Sequence, residues 1–261
     1  MKKICLLALA GFLFVQCTSY KHVPYLQDSD LLDYQQEKTE LYDAKIMPKD
    51  LLVITVNTTD PEAALPFNLT VQNAINISSR STYSQPALQE YLVNNDGDIN
   101  FPVLGTLHVS GLTKNECENL IRILLKNHLK EVPVVTVRMS NYKISVLGEV
   151  ARPGIFTVSN EKVNVFEALA MAGDMTVYGL RENVKLMRED MDGQREIYSI
   201  DLTRSDIISS PLFYLQQNDV LYVTPNKTKA KNSDVGNSTT LWFSATSILI
   251  SLASLLYNIL N

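Results

Sequence analysis

The chain has 261 residues, 46% of them hydrophobic, and a formal net charge of −5. That length exceeds one average domain and supplies enough apolar material for two modest cores. The acidic balance leaves no basic footprint for nucleic acid, and the three cysteines, Cys5, Cys17 and Cys117, are too dispersed in role to build a disulfide framework.

Met1 to Gln16 reads as an export signal: Lys2 and Lys3 form a basic start, and Ile4 to Val15 is apolar but shorter than a usual spanning helix. It ends at Cys17-Thr-Ser, an arrangement that resembles a bacterial lipoprotein signal, in which the cysteine after the cut is acylated. Phe14, Val15 and Gln16 depart from the usual residues before that cut, so an uncleaved anchor with an incidental cysteine is the alternative. Cleavage would remove two lysines and no acid, leaving a mature charge of −7. Cys5 would leave and Cys17 would be blocked, so Cys117 would stand alone. Thr18 is not an acidic retention residue, which favours delivery to the outer membrane. Residues 17–43 are polar and read as a lipid-anchored tether.

The first globular unit is expected over 44–140. Lys45-Ile-Met-Pro-Lys-Asp reads as a turn, and Leu51-Leu-Val-Ile-Thr-Val as a strand rich in β-branched residues. A long loop follows, with a short helix expected around Leu69 to Ile77. Tyr91-Leu-Val and Ile99-Asn-Phe read as hairpin arms across Asn94-Asn-Asp-Gly-Asp, where Gly97 supplies a positive φ. Asp96 and Asp98 lack the rest of a calcium-loop ligand series. Thr113-Lys-Asn-Glu116 is a capping box that opens a helix to about Leu129, with Cys117, Leu120, Ile121, Leu124 and Leu125 on its apolar face. Cys117 is then a buried small hydrophobe rather than a reactive thiol. Val134-Val-Thr-Val-Arg-Met is the next strand.

The second unit is expected over 141–228: strand Tyr142 to Val150, a turn at Arg152-Pro-Gly, a returning strand from Ile155, and a short helix Val165 to Ala172 capped by Asn164 and stopped by Gly173. A hairpin across Asp192-Gly193 and the strand Val220-Leu-Tyr-Val complete a β-grasp order. Residues 229–238 read as a polar linker. The last stretch, 239–261, carries no charge and reaches roughly 33 Å as a helix, enough to cross a bilayer. Thr240, Ser244, Ser247, Ser251, Ser254 and Asn258 fall within an arc of about 80°. Turned towards water by several copies, that edge would line a pore; taken alone, the stripe fits helix packing or a plain anchor, whose serines bond their own backbone, better than a pore. Trp242 and Tyr257 are placed like membrane-interface aromatics.

The blocks "Ile-Met-Pro-Lys-Asp-Leu-Leu-Val-Ile-Thr-Val", "Asn-Asp-Gly-Asp-Ile-Asn-Phe-Pro-Val-Leu-Gly" and "Pro-Val-Val-Thr-Val" resemble the export domain of outer-membrane polysaccharide export lipoproteins. "Val-Leu-Gly-Glu-Val-Ala-Arg-Pro-Gly-Ile-Phe", "Ala-Leu-Ala-Met-Ala-Gly-Asp" and "Asp-Val-Leu-Tyr-Val" are similar to the soluble-ligand-binding β-grasp domain of the same exporters. The resemblance implies an α+β fold: an export domain, one β-grasp domain and a C-terminal amphipathic membrane-spanning helix. It implies a homo-oligomeric ring whose tail helices form a barrel through the outer membrane, with most of the chain in the periplasm. It also implies a polysaccharide chain as cargo and an inner-membrane polysaccharide co-polymerase as partner, a tyrosine kinase being one form of that partner. No cofactor, metal or catalytic residue is expected, since no paired-carboxylate motif, nucleophile elbow or phosphate loop is present. Having one β-grasp unit departs from relatives that carry more. A monomeric glycan-binding envelope lipoprotein and a hydrolase acting on the polymer are the competing readings.

Overall fold

The computed structural model describes residues 23–31, 42–71, 87–234 and 237–260; in the tail, side chains are described at 242, 244–256 and 259. The first sheet is centred on the strand Leu51–Asn57. Alternation buries Leu52, Ile54 and Val56 and leaves their neighbours half-covered, as a one-faced strand requires. Glu90–Leu92 and Val134–Met139 pair antiparallel on its two sides. The helix Lys114–Leu125 covers the sheet through Cys117, Ile121 and Leu125, all fully buried. Its capping box is formed in both directions: the Thr113 hydroxyl accepts from Glu116 N–H and the Glu116 carboxylate accepts from Thr113 N–H. The helix stops at Leu125, a turn short of the expected Leu129.

One expectation in this unit changes. The Asn94–Asp98 turn exists, with Gly97 at φ 83° and the Asn94 side chain accepting from the Asp96 and Asp98 N–H groups. Its arms nevertheless belong to different ladders: Glu90–Leu92 joins Leu51–Asn57, while Asp98–Phe101 pairs with Gly105–His108. A local turn signal sets the reversal but cannot choose the partner, which long-range packing decides. In the loop after Leu51–Asn57, helical turns form at Pro61–Ala64 and Leu65–Phe67, and Thr70–Val71 is strand; most of the helix expected around Leu69 to Ile77 lies outside the described residues. Asp60 caps the first of them and Pro61 occupies its first position. Residues 72–86 lie outside the described set.

The second unit is a five-stranded sheet ordered Arg195–Ile200, Gly179–Glu189, Val220–Pro225, Lys143–Gly148, Gly154–Thr157. The last strand in sequence is central, antiparallel to Gly179–Glu189 and parallel to Lys143–Gly148. The helix Val165–Met171 lies in the connection, capped by Asn164 in a second reciprocal box with Glu167 and ended at Gly173, φ 77°. Gly148 is required by close approach: a Cβ there would meet the Val223 carbonyl oxygen at 2.1 Å.

The two units share one continuous buried core and are stitched by polar side chains. Asn141 accepts from Leu51 N–H at 3.0 Å, and its own carbonyl accepts from Gln217 at 2.9 Å. Glu161 accepts from Met139 N–H at 2.8 Å and meets Lys114 at 3.2 Å. Asp50 is fully buried between them.

The ends of the chain depart from expectation. Residues 23–31 are not a free tether: Leu26 and Gln27 N–H groups bond the Leu202 and Thr203 carbonyls, and Asp28 accepts from Ser205 N–H. The expected polar linker holds the helix Lys227–Asp234. The tail is a helix, Asn237–Leu260, but among the described residues no helix is long and apolar enough to cross a membrane. The tail helix is 24 residues long, with serine, threonine and asparagine recurring among its apolar residues. The expectation of a C-terminal amphipathic membrane-spanning helix over 239–261 is therefore not supported by the described residues.

Candidate functional site

A cleft of about 430 Å³ opens where the turn at 42–47 faces the hairpin strands Gly179–Glu189 and Arg195–Ile200. It adjoins a second hollow of about 460 Å³ beside Pro48, Lys49 and the hairpin tip, with Met47, Asp190, Met191 and Gln217 common to both. The hairpin is the one the Asp192-Gly193 signal pointed to. Its tip is fixed by Asp190, whose carboxylate accepts from the Asp192 and Gln194 N–H groups, and by Gly193 at φ 77°.

Aromatic, amide and carboxylate groups line the cleft. Tyr42 stacks on Tyr214 with ring centroids 4.7 Å apart and donates to the Leu215 carbonyl at 3.2 Å; burial lifts its phenol above the ordinary value, so it remains a neutral donor. Tyr198 donates to the Glu196 carboxylate, and that hydrogen bond raises its phenol too. Arg188 forms the back wall. It grips Asp219 through two nitrogens at 2.7–3.2 Å and gives a further bond to the Tyr214 carbonyl. Asp219 is 1% exposed; burial pushes its carboxyl upward against the opposing pull of Arg188. A guanidinium committed in this way shapes the wall and is not offered to an anion. Tyrosine faces beside amides and carboxylates suit hydroxyl-rich ligands, by stacking and neutral hydrogen bonding. Neither His nor Cys lines the cleft, and among the described residues no three His, Cys, Asp or Glu side chains gather as metal ligands. Sequence reading missed this site because its walls come from three segments far apart in the chain, at no motif spacing.

The residues singled out in the sequence lie elsewhere. Cys17 is outside the described residues, as are the side chains of Thr240, Tyr257 and Asn258. Ser244, Ser247, Ser251 and Ser254 are all exposed on the tail helix, and Trp242 is 73% exposed. Ser251 donates to the Ser247 carbonyl at 3.0 Å; this occupies its proton and leaves its lone pairs outward. Every described side chain of the tail is exposed, including Ile248, Leu249, Ile250, Leu252 and Leu255. None of the described ones lines the cleft. Cys117 is buried, its thiol pushed up to about 12 by burial, and is no nucleophile.

Comparison with known proteins bears on both units. A family described as polysaccharide biosynthesis/export protein matches residues 38–140, and the SLBB domain matches residues 143–198. A protein of Ralstonia solanacearum named EPS I polysaccharide export outer membrane protein EpsA is 30% identical over 146 residues, 54% of this chain. A protein of the same name from Ralstonia nicotianae is 35% identical over 107 residues, 40% of this chain. The aligned parts span 38% and 28% of those relatives' own lengths.

Proposed function

We propose that this chain, which carries a polysaccharide biosynthesis/export domain followed by an SLBB domain, is an outer-membrane subunit of an oligomeric channel that passively exports capsular or extracellular polysaccharide. The observation that carries the assembled form is the tail. Eight large apolar side chains from Trp242 to Ile259 are 51–73% exposed, far more than a soluble monomer leaves uncovered on one element. Copies set side by side cover that surface for one another, and no single helix then has to satisfy a bilayer alone. The edge of Thr240, Ser244, Ser247, Ser251, Ser254 and Asn258 turns to the common axis. There, neutral hydroxyls and an amide exchange hydrogen bonds with a sliding polymer without a charge to hold it. Cys17 anchors the start of the chain in lipid, and Trp242 and Tyr257 sit at head-group level. An inner-membrane polysaccharide co-polymerase supplies the drive, and the subunit performs no catalysis.

A second reading, a monomeric glycan-binding envelope lipoprotein, is favoured by one observation, the tyrosine- and amide-lined cleft. Mass in mild detergent separates the two: a multiple of the subunit mass is expected, and a stable monomer hands the case to the second reading. Ser247→Leu with Ser251→Leu should abolish polymer export while the assembly persists; normal export by that variant removes the conduit role of the edge.

A further inference from the structure

We infer that the end of the SLBB unit formed by residues 149–153 and 174–179 rests on an anionic lipid surface. This builds on the outer-membrane reading above, and goes further in naming the face of the folded body that touches the membrane. Both ends of the chain that the reading directs to lipid leave from this one place. From the N-terminal side, Tyr25 donates to Asp174 at 2.5 Å and lies under the Arg181 guanidinium, 5.0 Å from its ring centroid. Val23, where the described strap begins, follows Cys17 by six residues, a reach of at most about 20 Å. From the C-terminal side, Asn226 N–H bonds the Tyr178 carbonyl at 2.7 Å, and Lys229 lies 5.4 Å from the Tyr178 ring centroid. The helix Lys227–Asp234 then leads within two residues to the uncovered tail.

The chemistry of the surface fits. Val177 is 68% and Tyr178 37% exposed at adjacent positions, an apolar tip with one amphipathic ring, as interfacial contacts use. Of the carboxylates here, Asp174 is exposed but engaged by Tyr25, and Glu149 is half-buried and held by Thr176 at 2.9 Å and Lys229 at 3.6 Å. Among the described residues no carboxylate pairs with Arg152 or Lys227, both exposed. A chain acidic overall therefore presents cations around an apolar tip at the point where its membrane-directed ends emerge, which is complementary to anionic head groups.

The test uses full-length protein reconstituted in phosphatidylcholine vesicles, with and without phosphatidylglycerol, that carry a head-group spin label. A fluorescent thiol probe is placed in turn at Val177→Cys, Leu249→Cys, Ile197→Cys and Val103→Cys; Cys117 is buried, Cys5 leaves with the signal and Cys17 is acylated on the reading above, and the unsubstituted protein serves as the labelling blank. Ile197 and Val103 are 68% and 59% exposed but lie on the opposite edge strand and in the export unit. The expected result is quenching at Val177→Cys about twofold stronger than at either control, weakening when phosphatidylglycerol is omitted. Quenching at Leu249→Cys with Val177→Cys at control level overturns the inference and leaves the membrane-attached reading intact. No quenching at either position sinks both. Quenching at Val177→Cys that ignores phosphatidylglycerol overturns the anionic preference claimed for this surface.

Discussion

The two-domain body and the tail helix are built from similar apolar residues put to opposite use. In the body, Ile121 and Leu125 sit on a helix face that its own chain covers completely. In the tail, Leu252 and Leu255 sit on a longer helix that its own chain leaves bare. Burial in the body is therefore a matter of intramolecular folding, whereas the described apolar side chains of the tail are left exposed. The difference teaches that hydrophobic content alone does not locate a core; a covering surface within reach does.

The strongest way to break this comparison is to truncate one residue of each kind. Ile121→Ala should cost about 2–5 kcal/mol in urea unfolding, because it opens a cavity under a fully covered site. Leu252→Ala should leave that unfolding curve unmoved and instead lower the stability of the oligomer in detergent. Equal effects on unfolding would show that the tail packs on the body.

The body's interior can also be probed by pH. Asp50 is fully buried; one carboxylate oxygen accepts from Met47 N–H at 2.8 Å and the other has no partner, and burial pushes the carboxyl up to about 6. The folded chain holds this proton more tightly than the unfolded chain does. The stability it contributes is therefore full below the unfolded value of 3.8 and is lost as pH rises through about 6. Over that window the loss amounts to roughly 3 kcal/mol. Asp50→Asn fixes the neutral form, so its gain over the parent chain should appear between pH 4.5 and 7.5 and vanish at the acidic end. A constant difference across that range would refute the assignment.

The smallest expected effect is at a helix end. Thr113→Ala removes the reciprocal cap of Lys114–Leu125 and should cost about 1 kcal/mol in the same unfolding assay, again without altering oligomer mass.

Legibility in the sequence followed the range of the interaction. Thr113 with Glu116, Asn164 with Glu167, and Asp192-Gly193 are contacts within four residues, and each could be read before any coordinates. The Asn94–Asp98 turn was equally local, yet the pairing of Glu90–Leu92 with Leu51–Asn57 was not, since it bridges about forty positions. The strap was invisible because Tyr25 and Asp174 are 149 residues apart and nothing in a short polar segment announces a distant partner. The cleft stayed hidden for the same reason. In the tail the helix was legible because its 3.6-residue period is local, whereas what would cover its apolar side chains is not encoded at any short spacing.

The position of Val220–Pro225 in the middle of its sheet has a consequence for biogenesis. Until that strand emerges, Lys143–Gly148 with Gly154–Thr157 and Gly179–Glu189 with Arg195–Ile200 are two separate hairpins with no common neighbour. The sheet of this unit therefore cannot close before Val220–Pro225 is present. The sheet is in this way kept open until Val220–Pro225 is present, and a stop codon between Ile200 and Val220 would leave two orphan ribbons for proteases to clear.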